Sequence, residues 1–99
     1  MKSDISHQNI FEDYYLLKTS NSFRILNIGK PQVPYVKPLS VNETGAFIFE
    51  QLNAGENLED IVSMLSSKCN VPQKSVREDV FSFADKLKEF GVPVSIPLQ

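Results

Sequence analysis

The segment Asn42-Glu43-Thr44-Gly45-Ala46-Phe47-Ile48-Phe49 constrains this chain more than any other. Asn42 suits an N-cap: its side-chain oxygen can accept from amides of the first helical turn, and Glu43 then stands at the positive end of the helix dipole. Ala46, Phe47, Ile48, Phe49 and Leu52 leave almost no polar face, and a helix apolar nearly all round belongs in the interior. Gly45 costs about 1 kcal/mol within a helix, which points to another backbone passing close by. Ahead of this helix the chain reads as strands, and behind it as helices.

The strands are short. Met1 to about residue 12 is expected to be a tail. Tyr14-Tyr15-Leu16-Leu17-Lys18 is an apolar, aromatic run, and Thr19-Ser20-Asn21-Ser22 has turn chemistry. Phe23 to Ile28 then alternates Phe23, Ile25 and Asn27 against Arg24, Leu26 and Ile28, so the two runs make a hairpin. Gly29 to Pro34 is a loop punctuated by two prolines. Tyr35-Val36-Lys37-Pro38-Leu39-Ser40-Val41 is a third strand running into Asn42. Pro38 has no amide hydrogen to give to a ladder, so this strand is expected at an edge.

The helices carry a plainer signal. Asn57-Leu58-Glu59-Asp60 is a cap followed by two acids, and Leu58, Ile61, Val62, Leu65 and Cys69 share one helical face up to about Lys68. Asn70-Val71-Pro72 breaks the pattern. A third helix is expected from Pro72 or Gln73 to Phe90, with Val76, Val80, Phe83, Ala84, Leu87 and Phe90 on its stripe and Gly91 as the stop. Val92 to Pro97 is apolar and extended. Three strands followed by three helices indicate an α+β fold, with helices on one side of a small antiparallel sheet, and the parts are those of a winged helix.

Composition narrows the function. Ninety-nine residues fit one domain spanning residues 1–99, and a net charge of −2 gives no electrostatic footprint for nucleic acid or an anionic membrane. With one cysteine there is no internal disulfide, and Cys69, in phase with the apolar stripe, is expected to be buried. No apolar run reaches the roughly 20 residues of a membrane span, and the expected location is the cytoplasm. His7 is the only histidine and has no second base beside it. Glu56, Glu59 and Asp60 are explained by the helix dipole, and Glu78 and Asp79 by a solvated face. No catalytic set, phosphate loop, metal site or cofactor site can be assembled, so an enzyme is not expected.

Phe81 stands apart. On the third helix it points about 140° away from Val76, on the outer side with Lys74, Arg77, Asp85 and Lys88. With the open third strand, this surface could take an extended peptide as an added strand.

Val41-Asn42-Glu43-Thr44-Gly45-Ala46-Phe47-Ile48, Leu58-Glu59-Asp60-Ile61-Val62 and the run Val76 to Leu87 resemble the PqqD family in order and spacing. Its patterns are an LNETGAxI helix start, a T-x-x-E-[IL]-V second helix and an E-x-D-V-x-x-F-[LI]-x-x-L third helix ending in Gly. The resemblance implies a winged-helix-like fold and a recognition element for ribosomally made, modified peptides. Such a domain binds the leader of a precursor peptide and presents it to a modifying enzyme, often of the radical SAM type. By position, the leader would be lined by Tyr35, Val36, Lys37, Leu39 and Val41 from the strand and by Arg77, Phe81, Asp85 and Lys88 from the helix. Departures are Pro38 within the recognition strand, Val41 for the usual Leu, and Pro72 where an Asp cap is common. Two other readings remain open on the residues alone. One is a winged-helix DNA-binding regulator, although residues 72–90 carry four positive and four negative charges. The other is a homodimer formed through the open strand.

Overall fold

The computed structural model describes residues 10–29 and 37–94. Its elements are β1 (Tyr14–Lys18), β2 (Phe23–Asn27), β3 (Leu39–Val41), α1 (Glu43–Asn53), α2 (Leu58–Cys69) and α3 (Gln73–Phe90). A three-stranded antiparallel sheet is followed by three helices, an α+β fold. The chain divides into two compact units, residues 1–55 and 56–99.

In the first unit the sheet order is β1-β2-β3, both pairs antiparallel. Thr19 and Ser22 close the hairpin: the Thr19 amide donates to the Ser22 carbonyl at 2.9 Å, and the Ser22 amide donates to Thr19 Oγ1 at 3.1 Å. Leu16 lies opposite Ile25, and Ile25 opposite Leu39, so these three share one face. Ile25 is fully buried there, and α1 packs across all three strands. Asn42 caps α1 as its residue type requires, accepting from the Gly45 amide at 2.8 Å. Gly45, Ala46, Ile48, Phe49 and Leu52 are buried, while Glu43, Thr44 and Glu50 face water. Glu50 pairs with Lys18 at 2.7 Å.

Two expectations change in this unit. The tail was expected to run through residue 12. Residues 1–9 lie outside the described residues, but Phe11 is buried against Phe49, ring centroids 5.6 Å apart. Its amide donates to Asn53 Oδ1 at 2.8 Å, so the chain is anchored from Phe11 onward. The third strand is also shorter than the sequence implies. Lys37 and Pro38 precede the ladder, which begins at Leu39, the first residue past the proline. Tyr35 and Val36 lie outside the described residues, as does most of the Gly29–Pro34 loop.

In the second unit α2 and α3 pack on each other. Asn57 accepts from the Asp60 amide at 2.8 Å, starting α2. Asn70 ends it in the left-handed region, φ 57°, which Asn tolerates better than most residues. Beyond Asn70, the Val71 carbonyl accepts from Ser66 Oγ at 2.6 Å. Pro72 opens α3 without a side-chain cap. Gly91 closes it at φ 116°, where a Cβ would be strained. The Gly91 amide reaches Lys88 O and the Val92 amide reaches Leu87 O, which settles carbonyls the helix leaves open. Leu58, Ile61, Val62 and Leu65 of α2 are buried, as are Val76, Val80, Ala84 and Leu87 of α3, followed by Val92 and Val94. Phe83 and Phe90 are half-buried at the margins of the stripe. Cys69 corrects an expectation: it is exposed, not buried. It is the last residue of α2, one turn past Leu65, where the apolar stripe has run out.

Candidate functional site

Among the described residues β1 and β3 are the two edge strands of the sheet, and of these β3 leads directly into α1. β2 occupies the middle of the sheet and pairs with β3 along Phe23–Val41, Arg24–Ser40 and Ile25–Leu39. Among the described residues no strand pairs with the opposite edge of β3. An edge of this kind presents backbone donors and acceptors to whatever extended segment comes beside it. Leu39 and Val41 are half-buried on the face shared with Ile25 and Phe23, so their side chains serve the sheet's packing. Ser40 faces the other way and is exposed, and Lys37, ahead of the ladder, is exposed too. What the strand has to offer a ligand is therefore mainly main chain.

The second candidate surface lies on α3 in the C-terminal unit. Phe81 is half-buried, and the Arg77 guanidinium stacks over its ring, Cζ 4.7 Å from the centroid. Arg77 Nη1 also donates to Glu59 Oε1 from the first turn of α2. The sequence placed Arg77 and Phe81 one turn apart and so on one face. Glu59 was explained by the helix dipole alone, and its second role, holding Arg77, comes from a residue 18 positions away that periodicity cannot register. Asp85 and Lys88 are exposed further along the helix. The structure thus brings Arg77, Phe81 and Glu59 together, while Leu39 and Val41 belong to the other unit.

Nothing in this set resembles catalytic machinery. Among the described residues no group of three or more His, Cys, Asp or Glu side chains could hold a metal ion. The Tyr14 hydroxyl is held above its ordinary value of 10.0, first by burial and then by the Asp13 carboxylate, and it lies on β1, at the opposite edge of the sheet from β3.

The family model for coenzyme PQQ synthesis protein D (PqqD) matches residues 31–92, well over half the chain. This chain belongs to the PqqD family. The match runs from just ahead of β3 through the Gly91 stop of α3, and leaves the β1–β2 hairpin outside it. Comparison with curated proteins and with solved structures finds no match. PqqD proteins are recognition elements for ribosomally made, modified peptides: non-catalytic accessory proteins that bind peptide precursors. Membership therefore implies a peptide-binding adaptor in the biosynthesis of PQQ or a related product. No helix among the described residues is long and apolar enough to cross a membrane.

Proposed function

We propose that this chain binds the leader of a ribosomally made precursor peptide as an added strand along the free edge of β3, and presents it to a modifying enzyme of the radical SAM type. The observation that carries the reading is the position of β3: an edge strand, inside the region matched by the PqqD model, with one side of its ladder open. Strand addition draws affinity from main-chain hydrogen bonds, which suits an edge whose own side chains are turned to packing. Lys37, Leu39 and Val41, with Tyr35 and Val36 ahead of them, are the proposed strand contacts. Arg77, Phe81, Asp85 and Lys88 are the proposed helix contacts and supply the side-chain selectivity that a backbone ladder lacks.

The adaptor is proposed to work in the cytoplasm without a cofactor of its own. A DNA-binding role has less support, because positive and negative charges balance on α3 and a phosphate-binding face needs an excess of cations. The test is a titration of isotope-labelled protein with a synthetic peptide matching the shortest reading frame beside this gene. Amide shifts concentrated at residues 37–41 and near Phe81 are expected. Shifts confined to β1 or to α2 would move the site elsewhere.

A further inference from the structure

We propose that Arg77 reads an acidic side chain of the bound peptide, so that the segments this chain selects carry an Asp or Glu two residues from an apolar residue. The proposal rests on the reading above, in which Arg77 and Phe81 of α3 contact the bound precursor segment.

Arg77 is held on two sides, by the Phe81 ring 4.7 Å from its Cζ and by the Glu59 carboxylate. A guanidinium positioned in this way has less rotamer freedom left to lose when it meets a ligand. The bond to Glu59 uses Nη1, and the guanidinium fork carries further donors on Nη2 and Nε, the geometry that receives a carboxylate. The side chain remains 40% exposed, so a second acid can reach it. Phe81 is only half-buried and leaves part of its ring for an apolar contact.

The spacing follows from the geometry of the two elements. Arg77 and Phe81 are four residues apart on α3, a rise of about 6 Å. In an extended segment, side chains at i and i+2 point to the same side and lie about 6.7 Å apart. A segment running along α3 can therefore set one side chain on Arg77 and its second neighbour on Phe81. The charges near these residues give the pair a polarity. Lys74 lies on the same side one turn before Arg77, so positive charge remains at that end after Glu59 is counted, whereas Asp85 stands one turn beyond Phe81. An acid is favoured at the Arg77 end, whereas beyond Phe81 the Asp85 charge is followed one turn later by Lys88 and the two offset.

The experiment is a selection from a phage-displayed library of random 12-residue segments against the full chain, with Arg77→Lys and Arg77→Glu selected in parallel after circular dichroism shows that each is folded. Wild type is expected to enrich Asp or Glu two positions from an apolar residue. Arg77→Lys should keep that preference in weakened form, and Arg77→Glu should replace the acid by Lys or Arg. A selected wild-type peptide should lose about three- to fivefold in affinity on Arg77→Glu, the scale of a partly exposed charge pair. Selected peptides with no acidic bias, or a bias unmoved by Arg77→Glu, would overturn this inference and leave the peptide-binding reading standing. A wild-type chain that selects no peptides at all would overturn both.

Discussion

In the helical unit, α2 and α3 each bury four side chains, and their backbone hydrogen bonds close within each helix. In the sheet unit, β3 has three residues, its two apolar side chains are half-buried, and one side of its ladder has no strand beside it among the described residues. The first region is complete in itself and offers a partner only side chains. The second is incomplete and offers main chain. Side chains discriminate between sequences, whereas a ladder edge accepts any extended segment without a badly placed proline. A peptide-recognition element has a use for both.

The largest expected effect tests that difference in the core. Leu87→Ala, at a fully buried site on α3, should cost about 2–5 kcal/mol in chemical denaturation, while Leu39→Ala on β3 should cost about 1 kcal/mol. Equal losses would mean that β3 is as firmly integrated as the helical core. Next comes the division between backbone and side-chain recognition. Phe81→Asp should weaken binding of the precursor leader by about 1–3 kcal/mol in calorimetric titration, with the domain still folded. Unchanged affinity would remove α3 from the site and leave recognition to β3 alone. The smallest effect belongs to the sheet unit. The folded-state pKa of Tyr14 is raised above 10.0, so the stability contributed by its protonated hydroxyl is fully present below that pH and is lost as pH rises through the folded value. Tyr14→Phe should make the alkaline fall in thermal stability shallower. An identical fall in both proteins would mean that Tyr14 ionises as freely in the fold as outside it.

The sequence was most readable where short-range chemistry decides the structure. Asn42 and Asn57 cap α1 and α2 through the amides three residues on, and Gly91 ends α3 in the left-handed region, each as its residue type implies. The order of strands and helices was legible for the same reason, as was the hairpin closed by Thr19 and Ser22. Burial was less so. Cys69 has the phase of Leu58 and Leu65, but phase gives only a direction around the helix and cannot say whether anything lies opposite; at the last residue of α2 the thiol is exposed. Phe11 shows the converse, a single aromatic in a polar stretch whose place is fixed by Phe49 and Asn53, each about 40 positions away. The proline in the third strand announced an edge, yet not that pairing would start only at Leu39. On α3 the one-turn spacing of Arg77 and Phe81 was visible, while the clamp from Glu59 depends on how two helices pack.

The most direct test of the account is amide hydrogen exchange across Leu39, Ser40 and Val41 with and without the precursor leader. Strand addition predicts that amides facing the open edge exchange more slowly in the complex, with the α2 core unchanged. Exchange in β3 that stays the same at saturating leader would contradict the account, whatever surface the peptide then proved to occupy.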